Sequence, residues 1–225
     1  MANKNNSSAI EELAASEGGV FTSAQAQRLG IPLYALSYAA KAGRIERLWR
    51  GSYRLAHACD DGLDELRAAY ALTAPEKFSH ERMDDFDGVA VSGATAAFIH
   101  GIGDMYPSPY EFLVPSRFNS RHASASFSVS HVEEDDIIWK ARVPVTRIEH
   151  TIARLVRTHT DMSLVVRVFV DAIRTYGMTE MNIHLLKDLL GTDYNVLLDA
   201  ADMCSPDSWS ILEVDQLGHV TLVEL

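Results

Sequence analysis

At 225 residues, with 47% apolar and 23% charged side chains, the chain can bury one large core or two modest ones, which excludes a largely disordered polypeptide. Its formal net charge of -11 excludes a protein that coats nucleic acid indiscriminately. Cys59 and Cys204 stand far apart and fit no metal spacing, no apolar run is long enough to span a membrane, and the start lacks a signal-peptide core; the expectation is a cytoplasmic protein with reduced thiols.

In chain order, the polar stretch Met1 to Ser8 is expected to be disordered. Ala9 to Glu17 places Ile10, Leu13 and Ala14 at helical spacing and ends at Gly18-Gly19. Val20-Phe21 reads as extended. Thr22 with Gln25 is a capping box opening a second helix through Leu29. Gly30 stops it, and Pro32 opens a third helix to Ala42, with Leu33, Leu36 and Ala40 expected inward and Tyr34, Ser37, Tyr38 and Lys41 outward. Arg44 to Leu55 alternates around Arg50-Gly51-Ser52 and reads as a hairpin. Together these elements describe a winged helix-turn-helix over residues 1–58.

Charge singles out the same segment. Between Val20 and His57 stand six basic residues, Arg28, Lys41, Arg44, Arg47, Arg50 and Arg54, against Glu46 alone. That net of +5 leaves -16 for the rest of the chain. A helix fits the major groove of B-form DNA, so Tyr34, Ser37, Tyr38 and Lys41 are candidates for base edges. Arg28, Arg44, Arg47 and Arg50 are candidates for phosphates, as are the amides near Thr22 and Ser23 at a helix start. Neutralising four to six phosphates predicts a log-log salt slope of about -4 to -5. A winged helix can also serve protein docking alone, and that alternative stands beside DNA binding.

The second half, 59–225, reads as a mixed α+β domain, so the whole chain is placed in the α+β class. A helix is expected from Asp64 to Phe78, an acidic loop from Glu81 to Gly88, and a strand at Val89 to Val91. A helix capped by Ser92 follows from Gly93 to His100. Strands are expected at Glu111 to Val114, Ala125 to Val132, Ile137 to Trp139 and Arg142 to Val145. Thr146 with Glu149 reads as a capping box for a helix to Thr158. Helices at Met162 to Tyr176, Met181 to Leu190 and Asn195 to Met203 precede a hairpin from Trp209 to Leu225.

A search of this half for chemistry favours structural explanations. Gly101 and Gly103 lack a phosphate-loop spacing and read as a helix cap. Glu133 to Asp136 reads as a solvated charge run. Glu213 and Asp215 on a strand could hold magnesium in a nuclease delivered by the winged helix, the second alternative. Arg147, Arg154, Arg157 and Arg167 could extend a nucleic-acid surface. No catalytic residue, metal ligand or cofactor site is assigned.

The residues Gly18-Gly19-Val20-Phe21-Thr22-Ser23-Ala24-Gln25-Ala26, Leu29-Gly30-Ile31, Gly43-Arg44-Ile45 and Leu48-Trp49-Arg50-Gly51-Ser52-Tyr53 resemble the N-terminal module of AbiEi-type antitoxins, of the type IV toxin-antitoxin systems linked to phage abortive infection. The likeness continues through Ala96-Ala97-Phe98-Ile99-His100-Gly101, Val114-Pro115-Ser116-Arg117 and Val143-Pro144-Val145-Thr146 with Glu149, Thr151 and Ile152. Two positions depart: His150 stands where relatives often have Arg, and Arg154 where they often have Asp. The resemblance implies an autorepressor that binds inverted repeats in double-stranded DNA near its own promoter. It also implies that the C-terminal domain supplies antitoxicity against a nucleotidyltransferase-like toxin, with direct contact left open.

Overall fold

The structure, a computed structural model, describes residues 2–58, 61–120, 122–204, 212–214 and 220–222. Its first part is built from α1 (Ala2–Ser16), β1 (Val20–Thr22), α2 (Ser23–Arg28), α3 (Leu33–Lys41), β2 (Ile45–Arg47) and β3 (Ser52–Leu55). The strands form a three-stranded antiparallel sheet in the order β1-β3-β2. Ile10, Leu13 and Ala14 of α1 close over Phe21, Ala26, Ile31, Leu36 and Ile45 as one apolar core. Helix α1 starts at Ala2 rather than after Ser8; Ser7 and Ser8 donate to Glu11 and Glu12 one turn on, at 3.3 and 2.8 Å. These are helix-surface pairs that a composition argument misses. This arrangement is a winged helix-turn-helix.

The second part carries a five-stranded sheet: β4 (Ala90–Val91), β5 (Tyr110–Val114), β6 (Ala125–Val129), β7 (Ile137–Lys140) and β8 (Val143–Thr146), in the order β6-β5-β4-β8-β7. Pairs β5-β6 and β4-β8 are parallel; β4-β5 and β7-β8 are antiparallel. Preceding the sheet are α4 (Asp64–Ala71) and α5 (Ser79–Asp84). Among the strands and after them come α6 (Gly93–His100), α7 (Ile148–Arg157), α8 (Met162–Glu180), α9 (Ile183–Leu190) and α10 (Asp193–Cys204). Two alternating sets of strand residues serve two faces. Val91, Phe112, Val114, Val143 and Val145 pack with Leu66, Ala69 and Tyr70 of α4, while Ala90, Leu113 and Ile137 meet Val132. Ile152, Leu155, Val165, Phe169, Leu186 and Leu197 tie α7 to α10 into a separate helical core. The protein is thus mixed α/β, with a winged helix-turn-helix ahead of an α+β region.

Several local expectations are corrected. The helix expected to reach Phe78 ends at Ala71, and the segment expected to be an acidic loop forms α5. Pro75 has no N–H to continue α4, and Glu81 accepts the Phe78 amide at 2.7 Å to open the next helix. The Thr146–Glu149 capping box does not form. Thr146 instead bonds Thr151 through its hydroxyl at 2.8 Å, and Glu149 accepts the Asn182 amide of the approaching α9. A tertiary contact has taken the carboxylate that a local reading gave to the cap. Gly101 does end α6 in the left-handed region. At Gly103 a Cβ would stand 2.4 Å from a Val168 methyl, so close helix packing explains that glycine. β9 (Leu212–Val214) pairs antiparallel with β10 (Val220–Leu222); their connecting residues, among them Asp215 and Gly218, lie outside the described residues, as do Cys59 and Trp209.

Candidate nucleic-acid interface

The helix-turn-helix begins at Thr22. Its hydroxyl accepts the Gln25 amide at 3.0 Å and its amide donates to the Gln25 side chain at 2.7 Å, so the capping box is complete. The Ile31 amide reaches back to the Ala26 carbonyl, which turns the chain through Gly30. Pro32 sits one position ahead of α3, at its N-cap. Leu36 faces the core as expected, with Ala35 and Ala39 beside it and Ala40 partly buried against it, whereas Leu33 is exposed. The small alanines let α3 lie close to α1 and β2, and this turns Leu33 outward. Tyr34, Ser37, Tyr38 and Lys41 are all exposed on the outward side.

Next to that face stands Arg44, while Arg47 and Arg50 are exposed in the β2–β3 hairpin. Among the described residues, Lys41 and Arg50 make no ion pair. The Arg47 Nε donates to the Trp49 carbonyl, at 3.3 Å. Arg44 donates to the Ser7 hydroxyl and lies 5.7 Å from the centre of the Tyr38 ring. Among the described residues none of these four cations is paired with a carboxylate, so their field is directed outward.

Three expected contacts, and Arg54 of the same basic island, are placed elsewhere. Arg28 forms a two-pronged ion pair with Glu81, at 2.7 and 2.8 Å, and lies 4.5 Å over the Phe78 ring. Arg54 binds Glu46 at 2.8 Å and Asp64 at 3.1 Å. Thr22 is fully buried and donates its hydroxyl to the Pro75 carbonyl. The Ser23 amide is taken by the Gly51 carbonyl at 2.8 Å. The start of α2 is therefore turned toward the α4–α5 region, and α2 is in any case under two turns long. Arg28 and Thr22 hold the winged helix to the body, and the Ser23 amide is taken up within the winged helix, by the hairpin turn.

That attachment is extensive. Buried Glu17 at the end of α1 accepts from Gln25 at 2.9 Å and from the Ser79 amide and hydroxyl at 3.0 and 2.7 Å. Gln25 also donates to the Lys77 carbonyl at 2.8 Å. Gly18 has positive φ and leaves no room for a Cβ because Arg142 of the body crosses it. The Trp49 ring enters the body's core and stacks on His122. Sequence reasoning missed this anchor, because an aromatic beside two arginines in a hairpin is equally compatible with an exposed wing.

The arginines that could widen the basic surface are placed on the body. Arg147 donates to the Asp135 carbonyl, Arg154 to Ser128, Arg157 to the Leu189 carbonyl, and Arg167 pairs with Asp104. In the body a cavity of about 420 Å³ is lined by His100, Arg147, Glu149, Tyr176 and Asn182, among others. Burial pushes the His100 imidazole below its ordinary value, and its Nε2 meets the Thr146 carbonyl at 2.8 Å. The Tyr176 hydroxyl donates to the His100 carbonyl, also at 2.8 Å. Among the described residues, no group of three or more His, Cys, Asp or Glu side chains is placed to hold a metal ion. Of the proposed nuclease pair, Asp215 lies outside the described residues. No described helix is long and apolar enough to cross a membrane.

Fold and exposed face define a class: a winged helix-turn-helix mounted on an α+β body. Residues 8–56 match the family model described as "Transcriptional regulator, AbiEi antitoxin". The N-terminal segment is thereby placed with the antitoxin transcriptional regulators, in agreement with the resemblance read from its sequence. No curated protein matches the chain. Among solved structures, the RV2827C protein from Mycobacterium tuberculosis is similar at a TM-score of 0.55 and 15% identity, covering 86% of this chain and 75% of that one. That likeness is one of fold.

Proposed function

We propose that the protein is a sequence-specific DNA-binding antitoxin of a type IV toxin-antitoxin system that represses its own promoter from the cytoplasm. The observation that carries the DNA-binding half is the outward face of α3 with Lys41 and Arg44 beside it and Arg47 and Arg50 exposed on the adjoining hairpin, none of the four paired with a carboxylate among the described residues. The remainder of the chain is strongly acidic, which keeps it away from the duplex and favours one mode of approach. The regulator family matched by residues 8–56 supports the same reading. Inverted repeats near the promoter are the proposed operator, with α3 in the major groove and the β2–β3 hairpin against phosphates.

Antitoxicity is assigned to the body, residues 59–225, against a nucleotidyltransferase-like toxin, by direct contact or by opposing its effect. Fluorescence anisotropy on DNA from upstream of the gene tests the first half. Binding should exceed that to a scrambled duplex of equal length, with a log-log salt slope of about -4 for four cations. Equal affinity for both duplexes would overturn it. An Arg47→Ala, Arg50→Ala double variant that loses repression yet still rescues cells from the toxin would separate the two roles. Loss of both activities in a folded variant would contradict that division.

A further inference from the structure

The outward face of α3 lacks the side chains that read bases through paired hydrogen bonds. Arg reads guanine, and Asn or Gln reads adenine, by two bonds at once. From Leu33 to Lys41 the helix contains none of these three residues. Lys41 is its only cation and lies in the last turn, whereas recognition helices place their N-terminal residues at base edges. That first turn presents Leu33 and Tyr34, which are 50% and 68% exposed. Ser37 follows one turn on, and its hydroxyl already donates to the Leu33 carbonyl at 3.1 Å. It is left as an acceptor.

Single exposed apolar residues are ordinary on protein surfaces. Leu33 and Tyr34 differ because their setting specifies what would cover them. They occupy the base-reading position of the motif, and Lys41 and Arg44, in the last turn of the same helix and just after it, draw phosphates toward that face. The apolar group that a B-form major groove offers there is the C5 methyl of thymine. We infer that α3 reads thymine methyl groups through Leu33 and Tyr34, so that the operator half-site carries thymine under the first turn of the helix. Ser37, as an acceptor, suits the N6 amino group of adenine or the N4 amino group of cytosine at a neighbouring pair. The inference rests on the DNA-binding reading and specifies what that face recognises.

The test uses the full chain and the DNA upstream of its gene, amplified with dTTP or with dUTP. Uracil keeps the hydrogen-bonding edges of thymine and lacks its methyl. Uracil DNA should bind about fourfold more weakly for each methyl group covered, hence about tenfold or more for two half-sites. Leu33 is absent from the apolar core of the winged helix, so Leu33→Ala should fold normally. It should bind thymine DNA with a similar loss, keep the salt slope, and no longer distinguish the two DNAs. Equal wild-type affinity for thymine and uracil DNA, with salt-sensitive promoter binding intact, overturns the inference alone. Binding to neither DNA overturns the DNA-binding reading with it. A Leu33→Ala variant that still prefers thymine DNA as the wild type does, while dissociating a dimer in sedimentation, would assign the face to self-association and sink the inference.

Discussion

The Trp49 indole lies flat on the His122 imidazole, with ring centroids 3.6 Å apart and planes 8° from parallel. Trp49 comes from the turn of the winged hairpin, yet it is 5% exposed and shares a core with Leu66, Ala69, Tyr70 and the central strands of the body. The hairpin is therefore clamped at one residue while Arg47 and Arg50 on either side remain exposed. Trp49→Ala should cost about 3–5 kcal/mol, as large-to-small changes at buried aromatics do. Urea denaturation should show one transition for wild type, followed by tryptophan emission and by circular dichroism alike. A loss under about 1 kcal/mol, typical of an exposed position, would mean the ring is not a core element.

The basic island divides into two sets with opposite expected behaviour. Arg50→Ala should weaken binding to every duplex about equally and make the salt slope shallower by about one. Arg28→Ala removes an equal charge from the same island, but Arg28 is held by Glu81 and the Glu76 carbonyl. It should leave the salt slope unchanged. Thr22→Ala should likewise leave DNA binding alone and cost about 1 kcal/mol of stability, through loss of the α2 cap. Parallel salt titrations of the three variants check this; a slope change for Thr22→Ala equal to that of Arg50→Ala would restore the phosphate role to the start of α2.

What the sequence made legible follows from how local each signal is. The Thr22–Gln25 box, the Gly30 turn and the end of α3 depend on residues within a few positions of one another, and they stand as read. The outward position of Tyr34, Ser37, Tyr38 and Lys41 follows from helical periodicity around Leu36, although the buried stripe beside it is one of alanines. Arg28 and Arg54 could not be separated from Arg47 and Arg50 by composition. Their partners Glu81 and Asp64 come from beyond the hairpin and meet them only in the folded chain, while Glu46 faces Arg54 across the hairpin itself. Glu149 is the same case in reverse: a local cap was the natural reading, and the amide of Asn182 from another helix competes it away. A charge count over a window measures how much basic charge is present. Which part of it faces outward depends on tertiary neutralisation.

The Arg28–Glu81 pair gives that neutralisation a pH signature. The Arg28 guanidinium holds the Glu81 carboxyl at about 2, down from an ordinary 4.5. A carboxylate whose folded value is depressed contributes stability that is complete above its unfolded value and is lost as pH falls toward the folded one. The advantage of wild type over Glu81→Gln should thus be constant above about pH 4.5 and vanish by about pH 2. Denaturant midpoints across that range measure it. A gap that persists unchanged at pH 2 would show that the effect does not come from the Glu81 charge.

A second titration lies in the body and has its own window. His100 is 4% exposed, and burial depresses its imidazole below 6.5. The Thr146 carbonyl can only accept, so the Nε2 bonded to it carries the proton of the neutral ring. The Nδ1 is buried with no partner among the described residues, so a second proton would arrive without an acceptor. Facing charges do not reverse this: Lys140 opposes protonation, and Glu149 favours it less than burial disfavours it. The folded state therefore binds fewer protons than the unfolded one below 6.5, and stability must rise with pH through that region. The contribution is complete above about 6.5 and lost as pH falls through the depressed folded value. His100→Gln keeps a donor for the Thr146 carbonyl and cannot titrate. Subtracting its denaturation midpoints from those of wild type, between about pH 5 and 8, removes the other histidines from the comparison. Wild type should lose ground to the variant on acidification below 6.5. Curves that stay parallel across the whole range would show that the imidazole is protonated as easily inside the fold as outside it.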